Sequence, residues 1–224
     1  ISGAMDDMLR LWELGDRPRS VRTFVGHKNM IHAVAVTADG RIAVSGSYDT
    51  TVALWDVASG RRIRSLEGHT QPVTAVAVTP DNRMAVSGDR DGNLRMWSFA
   101  TGACLKTFEG HTGEISAIEV TANGRFILSA GEDKVIRMWN IATGGCESIF
   151  KGTLGPVSGL ALSTDSHFMF TGGQEGPETP ARLWELSGSR CIHVLGVHPK
   201  GVKALALSPD GCVLVTAGSD TLIR

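Results

Sequence analysis

Short apolar runs alternate with polar turns along the whole chain. In the stretch 71–109, for example, the runs are 73–78, 83–88, 93–98 and 103–108. They are rich in β-branched and small side chains, and Gly, Pro, Asn or Asp residues separate them. This pattern is typical of β-strands joined by tight turns, and no stretch shows a sustained helical period. The sequence therefore predicts an all-β fold in which neighbouring strands form antiparallel meanders.

Tryptophan recurs at a nearly constant interval. The five tryptophans lie at positions 12, 55, 97, 139 and 184. A spacing of roughly 40–45 residues, with four predicted strands in each interval, indicates one structural unit that is repeated. Four antiparallel strands of this length form one blade of a β-propeller. We expect complete blades at about 27–68, 69–110, 111–152 and 153–197, and partial blades at 1–26 and 198–224.

A second set of residues keeps a fixed spacing within the units. Ser or Thr follows the His of a Gly-His pair by 18 residues, Asp follows the hydroxyl by 4, and Trp follows Asp by 6. The complete sets are His27, Ser45, Asp49 and Trp55; His69, Ser87, Asp91 and Trp97; and His111, Ser129, Asp133 and Trp139. His198, Thr216 and Asp220 keep the same intervals.

These motifs resemble the WD-repeat family, and the resemblance covers essentially the whole chain. Leu54-Trp55-Asp56 carries the strict Trp-Asp dipeptide, and the other units keep only its Trp. The resemblance implies that the four spaced side chains form a hydrogen-bonded chain that ties the blade together. Their chemistry suits that role, because imidazole can donate and accept, indole only donates, and carboxylate only accepts.

The resemblance also leads us to expect that residues 1–224 are a WD-repeat propeller segment. WD-repeat propellers usually close with seven or eight blades, so we expect a part of a larger ring or of a longer protein. A five-bladed ring closed by both partial blades, and an arrangement of several chains, remain as alternatives.

The unit at 153–197 departs from the pattern. Thr153 stands at the His position, and the stretch that should hold the Asp is three residues longer than in the other units. The hydroxyl of Thr171 and the indole of Trp184 are kept. The Pro-containing loop 174–180 is open to two interpretations: a functional loop, or drift in one repeat.

The sequence motifs do not indicate an active site or a metal site. A Ser, a His and an Asp recur in every regular unit, whereas an active site is needed only once, and no G-x-S-x-G elbow is present. The repeat histidines occur one per blade, too far apart to share an ion. We therefore expect no enzyme activity, no metal and no cofactor. Cys104, Cys146, Cys191 and Cys212 form no CxxC pair and are predicted to be reduced, partly buried thiols.

Charge and hydropathy exclude two classes of partner. Lys and Arg number 22 against 23 Asp and Glu, which gives a net charge of -1 and no sign of a nucleic-acid binder. No apolar stretch approaches the length of a membrane helix. The resemblance implies a non-catalytic, intracellular and cytoplasmic scaffold that binds proteins or peptides on its top face, within a multiprotein complex. The alternative is a sensor or regulatory module of a larger signalling ATPase or kinase.

The partner-binding residues are expected in the loops around the Gly-His pairs and the Asp turns. The candidates are Lys28, Met30, Tyr48, Gln71, Arg90, Glu114, Glu132 and Lys200. Tyr48 and Arg90 belong to residue types that are enriched at binding hot spots.

Overall fold

Strands and their connecting turns make up the structure, a computed structural model that describes residues 1–153, 155–173, 180–196 and 198–224. All regular elements within those residues are β-strands. They lie in antiparallel sheets whose strands follow one another in chain order. The prediction of an all-β fold made of four-stranded antiparallel blades is therefore confirmed. None of the described residues belongs to a helix that could cross a membrane.

Four of the sheets described have four strands each. They are β4 (Ile31–Val36), β5 (Ile42–Ser47), β6 (Val52–Asp56) and β7 (Arg62–Leu66); β8 (Val73–Val78), β9 (Met84–Asp89), β10 (Leu94–Ser98) and β11 (Cys104–Phe108); β12 (Ile115–Val120), β13 (Phe126–Gly131), β14 (Ile136–Asn140) and β15 (Cys146–Phe150); and β16 (Val157–Leu162), β17 (Phe168–Gly173), β18 (Ala181–Glu185) and β19 (Arg190–Leu195).

The two ends of the chain form smaller sheets. The first contains β1 (Ser2–Gly3), β2 (Met8–Glu13) and β3 (Arg19–Val25), and the last contains β20 (Val202–Leu207) and β21 (Leu214–Gly218). In the unit used above as the example, three strands begin one residue later than the sequence pattern predicts, at Met84, Leu94 and Cys104. The turns before Met84 and Cys104 are one residue longer accordingly, whereas the turn before Leu94 keeps its length because β9 also ends one residue later, at Asp89.

A β-bulge recurs just before each tryptophan. The pairing of the third and fourth strands shifts its register between Leu54 and Trp55, and again between Met96 and Trp97. A bulge bends its strand and re-aims a side chain. Here the indoles of Trp55 and Trp97 are essentially inaccessible to solvent.

Two compact units divide the chain, Ile1–Gly110 and His111–Arg224. Within the first unit, apolar side chains of neighbouring sheets pack together, as Leu54 and Leu66 do with Val73 and Trp97. The second unit has a comparable core around Leu128, Phe150, Leu160, Met169 and Trp184. Burial of such side chains contributes about 1.5–3 kcal/mol each, so the core between sheets is what fixes one repeat on the next inside each unit.

The long loop of the irregular repeat lies mostly outside the described residues. Of the stretch 174–180 that the sequence marks as a possible functional loop, only Pro180 is described. The functional and neutral interpretations of that loop both stay predictions.

Candidate functional site

A chain of hydrogen bonds crosses the repeat at 27–68. His27 Nδ1 lies 2.8 Å from an Asp49 carboxylate oxygen, and His27 Nε2 lies 2.7 Å from Ser45 Oγ. Trp55 Nε1 donates to the same Ser45 Oγ over 2.8 Å. The four side chains join the loop after Gly26 to strands β5 and β6 and to the turn between them.

The repeat at 111–152 has the same arrangement. His111 Nδ1 is 2.7 Å from Asp133, His111 Nε2 is 2.7 Å from Ser129 Oγ, and Trp139 Nε1 donates to Ser129 over 2.8 Å. Because the indole supplies one hydrogen to Oγ, the hydroxyl hydrogen is left to bond His111 Nε2. The imidazole then carries its own hydrogen on Nδ1 and donates it to the carboxylate.

Burial holds that imidazole in its neutral form. It lowers the pKa of His111, and the nearby Arg137 guanidinium lowers it further, against the opposing effect of Asp133. A neutral imidazole is the form that can accept from the serine and donate to the carboxylate at the same time. The network is thus satisfied without a buried cation.

The carboxylates stay ionised within these networks. Burial by itself would raise the pKa of Asp49, but hydrogen bonds from the Lys28 amide, Thr51 and His27 outweigh it and lower the pKa to about 2. The Lys28 N–H donates over 2.9 Å and the Thr51 hydroxyl over 2.7 Å. Several hydrogen bonds to one carboxylate favour its charged form, so Asp49 also fixes the loop at the edge of the sheet.

The prediction of Asp91 as the acid of the second network is wrong. His69 Nδ1 bonds Asp89, 2.8 Å away, whereas His69 Nε2 contacts Ser87 at 2.6 Å as predicted. Trp97 Nε1 donates to Ser87 over 2.7 Å. Asp89 is fully buried and Asp91 is exposed.

Strand alternation explains this correction. Asp89 is the last residue of β9 and lies two residues after Ser87, so both side chains are on the face that meets His69. Its other oxygen accepts the backbone N–H groups of Asp91 and Asn93, at 3.1 and 2.9 Å. One carboxylate therefore bonds the histidine and closes the turn. The sequence distinguishes this repeat from the first one, because the position of Asp89 in β9 is held by Ser47 in β5. An acidic residue at the end of β9 therefore indicated a second candidate for the bond to His69.

Glycine before the histidine is required by close packing on the indole. Gly26 and Gly68 have φ angles of 155° and 150°, which side chains rarely adopt. A Cβ at either position would lie 3.2 Å from a ring atom of Trp55 or Trp97, respectively. The Gly-His pair is thus a packing motif as well as a hydrogen-bonding one.

Arginines near the tryptophan were missed by the sequence reasoning. The chain has Arg two residues before the Trp in four units and at the corresponding place in the last one: Arg10, Arg95, Arg137, Arg182 and Arg224. The Arg137 guanidinium lies 5.9 Å from the Trp139 ring, and Arg224 is 2.7 Å from Asp220. In the units that keep an Asp four residues after the hydroxyl and an Arg two residues before the Trp position, the Arg follows the Asp by four residues. This constant interval could have identified the arginines from the sequence.

The terminal repeats keep parts of the network. His198 Nδ1 is 2.7 Å from Asp220, and His198 Nε2 is 2.9 Å from Thr216 Oγ1. At the other end, Trp12 Nε1 donates to Ser2 Oγ over 2.9 Å.

Among its described residues, the irregular repeat keeps the bond between indole and hydroxyl. Trp184 Nε1 donates to Thr171 Oγ1 over 2.9 Å. Thr153, at the His position, donates instead to the Lys134 carbonyl of the preceding repeat. A small pocket lies between the two threonines, and Arg182 contributes to its wall.

The candidate partner-binding residues come together in pairs within the repeats. A backbone hydrogen bond joins the loop after each Gly-His to the turn at the end of the second strand: Tyr48 N–H to Met30 O at 3.0 Å, Arg90 N–H to Pro72 O at 3.0 Å, and Glu132 N–H to Glu114 O at 2.9 Å. Gln71 adjoins Pro72, and Lys28 begins the first of these loops. Lys28, Arg90, Glu132 and Lys200 are exposed, and the other four are half-buried.

An aromatic pair marks this surface in the first unit. The ring centroids of Tyr48 and His32 are 5.6 Å apart with an interplanar angle of 35°. His32 Nδ1 is 3.0 Å from the Thr74 carbonyl, to which it donates. The Tyr48 ring is therefore held in place by a neighbour that is itself anchored to the next sheet.

Among the described residues no group of three or more His, Cys, Asp and Glu could hold a metal ion. All four cysteines are free. Cys104, Cys146 and Cys212 are exposed and Cys191 is half-buried, so the predicted partial burial is wrong for three of the four.

Comparison with known proteins gives one family and several relatives. The family described as "WD domain, G-beta repeat" matches residues 18–56, 60–98, 102–140 and 189–224, more than half of the chain. The small ribosomal subunit protein RACK1 of Saccharomyces cerevisiae is 42% identical over 64 residues, which are 27% of this chain and 20% of the relative.

Two other relatives cover similar stretches. The guanine nucleotide-binding protein subunit beta of Oryza sativa subsp. indica is 39% identical over 62 residues, 28% of this chain and 16% of the relative. Pre-mRNA-processing factor 17 of Homo sapiens is 33% identical over 61 residues, 27% of this chain and 10% of the relative. These matches span no more than about a fifth of each relative's length.

Proposed function

Because this chain belongs to the WD40-repeat family, we propose that it is a non-catalytic scaffold that holds a protein or peptide partner. One observation carries the proposal. In each regular repeat a buried network fixes the loop after Gly-His, and a backbone bond ties that loop to the turn that presents Tyr48, Arg90 or Glu132. Binding residues on loops held by a rigid scaffold are the common arrangement for recognition.

The burial of the serine hydroxyls supports a role without catalysis. Ser45, Ser87 and Ser129 are 0% exposed, and each hydroxyl is already bonded to an imidazole and an indole. A nucleophile must reach its substrate. These three sets therefore serve stability, and we propose that the chain needs no cofactor for its function.

We place the docking surface of the first unit around Tyr48 and Arg90. Tyr offers a large contact area with a polar tip, and the Arg fork fits carboxylates. Lys28, Met30 and Gln71 belong to the loops whose backbone bonds the turns of Tyr48 and Arg90. Glu114, Glu132 and Lys200 are the corresponding candidates in the second unit.

The proposal also covers how the repeats are divided into blades and the kind of assembly that contains the chain. We infer that the repeats at 27–68, 69–110, 111–152 and 153–197 act as complete blades, with partial blades at 1–26 and 198–224. Two relatives are named as a ribosomal subunit protein and as a subunit of a nucleotide-binding protein. By analogy we propose a place in a multiprotein assembly in the cytoplasm, where the four free cysteines would stay reduced.

A paired comparison of two double variants tests the docking surface. Tyr48→Ala with Arg90→Ala removes the two central side chains, and Ile63→Ala with Arg83→Ala removes exposed side chains elsewhere in the same unit. Both immobilised variants and the parent are exposed to extract from the native source, and the retained proteins are quantified. We expect the first variant to lose a partner by at least about tenfold, as hot-spot truncations do, while the control keeps it.

Folding is checked on the same samples by circular dichroism and thermal melting. If the Tyr48/Arg90 variant is folded and retains every partner as well as the control does, the docking surface is elsewhere. Equal loss in both double variants would also contradict the proposal.

A further inference from the structure

The turn between strands β12 and β13 contains Asn123-Gly124, the one Asn-Gly dipeptide of the chain. Asn123 is exposed, and Gly124 has a φ angle of 67°. The equivalent turns of the other repeats have an aspartate in place of the asparagine, at Asp39, Asp81, Asp165 and Asp210. An asparagine followed by glycine loses its side-chain amide readily, because glycine has no Cβ to hinder the attack of its own backbone nitrogen on the side chain.

Two donors hold the side-chain carbonyl of Asn123. The Thr121 hydroxyl donates to Asn123 Oδ1 over 2.8 Å, and the Arg125 N–H donates to the same oxygen over 3.0 Å. This oxygen becomes negatively charged when a nucleophile adds to the carbonyl carbon, and donors that are already in place stabilise such a charge. The turn thus activates the side-chain carbonyl, and the exposure of Asn123 gives water access to it.

The attacking atom is the backbone nitrogen of Gly124. Its N–H donates to the Thr121 carbonyl over 2.8 Å, so this bond must open before the attack. Bonds in exposed turns open through local fluctuations that leave the flanking strands folded. Because Gly124 has no side chain, the opened turn is free to bring this nitrogen onto the Asn123 carbonyl carbon.

We propose that Asn123 is a site of spontaneous deamidation, with water as the co-reactant. The Gly124 nitrogen loses its proton and forms a bond to Asn123 Cγ, and ammonia leaves from that carbon, which closes a five-membered succinimide ring. Water then opens the ring. Cleavage between Cγ and the nitrogen gives aspartate, whereas cleavage between the main-chain carbonyl carbon and the nitrogen gives isoaspartate, in which the chain runs through the former side chain.

The other repeats indicate which product the turn accommodates. In each of them a hydroxyl and a backbone N–H donate to the aspartate at this position, as Thr79 and Arg83 do to Asp81 over 2.6 and 3.1 Å. An aspartate at position 123 would accept the same two bonds, and its charge would strengthen them. Isoaspartate adds a carbon to the main chain within the turn. Aspartate therefore fits the turn of this repeat, and isoaspartate distorts it.

The conversion of each asparagine is measured by peptide mapping and mass spectrometry after incubation of the folded protein at pH 8. Asn140, whose Oδ1 also accepts the N–H two residues on, and Asn29, which is exposed, are internal controls. We expect Asn123 to convert at least about tenfold faster than either, because glycine alone lacks a Cβ, whereas Met30 and Ile141 follow the controls. Anion-exchange chromatography should show a matching acidic species, since the reaction lowers the net charge by one, from -1 to -2.

Two variants connect the reaction to this turn. Gly124→Ser introduces the residue found at the equivalent position of the next repeat, where Ser166 has a φ angle of 56°, so the turn should form. It should slow the conversion of Asn123 by at least about fivefold, because a side chain now hinders the attack. Asn123→Asp supplies the aspartate product directly, and its melting temperature should be no lower than the parent's.

The isoaspartate product is quantified by enzymatic methylation of its free carboxylate, and the melting temperature of that fraction should be lower than that of Asn123→Asp. Conversion of Asn123 no faster than that of Asn140 and Asn29 would overturn the proposal. Conversion that Gly124→Ser leaves unchanged, or that occurs only after unfolding in denaturant, would overturn it as well. An isoaspartate fraction as stable as Asn123→Asp would contradict the assignment of the products.

Discussion

Asp89 and Asp91 are two residues apart, yet their side chains meet different surroundings. Asp89 is fully buried, bonds His69 and closes its turn, and these hydrogen bonds lower its pKa although burial alone would raise it. Asp91 is exposed. The stability that an aspartate contributes to a repeat therefore depends on which strand face it occupies rather than on its distance from the tryptophan.

Replacing each aspartate with alanine tests this assignment. Asp89→Ala should reduce the free energy of unfolding by about 1–3 kcal/mol, because His69 Nδ1 loses its acceptor in a buried site. Asp91→Ala should change it by less than about 0.5 kcal/mol, as exposed substitutions do. Chemical denaturation of the two variants and the parent measures the difference. A larger loss for Asp91→Ala than for Asp89→Ala would return the role to Asp91.

At the scale of a strand, Glu119 is an acidic residue at a position where the other complete repeats have a small apolar one. The corresponding residue of the other complete first strands is alanine: Ala35, Ala77 and Ala161. Glu119 pairs with Leu128, which is fully buried, so its side chain lies on the face that packs into the core of the second unit. Burial raises the pKa of Glu119 to about 7.

This raised pKa makes the stability of the second unit depend on pH. Between the unfolded pKa of 4.5 and the folded value of about 7, the folded chain keeps a proton that the unfolded chain has lost. Stability should thus fall as pH rises through this window. Glu119→Gln removes the ionisation, so it should increase the free energy of unfolding by about 1–3 kcal/mol at pH 8 and by little at pH 4.5.

Denaturation curves at both pH values, with Glu109→Gln as an exposed control, measure this effect. The control should change stability by less than about 0.5 kcal/mol at either pH. A gain for Glu119→Gln that is the same at pH 4.5 and pH 8 would mean that ionisation is not its cause.

The elements could be predicted more fully than the contacts between side chains. Turn residues and β-branched runs locate β8 and its neighbours to within a residue, because both act locally along the chain. The spacing of His69, Ser87 and Trp97 likewise identifies the network. The spacing alone does not distinguish Asp89 from Asp91, since that choice depends on strand alternation at the edge of β9. The pairing of Tyr48 with His32 depends on contact between residues far apart in sequence, which no local pattern records.

At the scale of the whole molecule, repeats hold together mainly through contacts with their neighbours, so local stability can differ along the chain. The first unit has two repeats with complete networks, at 27–68 and 69–110. The second unit has one, at 111–152, followed by a repeat in which the bond between Trp184 and Thr171 is the described remnant. The irregular repeat should therefore open more readily than its counterparts.

Hydrogen exchange followed by mass spectrometry tests this expectation on matched strands. Amides of β16 (Val157–Leu162) should exchange at least about fivefold faster than those of β8 (Val73–Val78), because the network bonds that the described part of the irregular repeat lacks correspond to about 1 kcal/mol or more of local stability. Strand β4 (Ile31–Val36), which belongs to a repeat with a complete network, should behave like β8. Equal exchange in all three strands would mean that the networks do not set local stability, and that packing between sheets stabilises the irregular repeat as well as the regular ones.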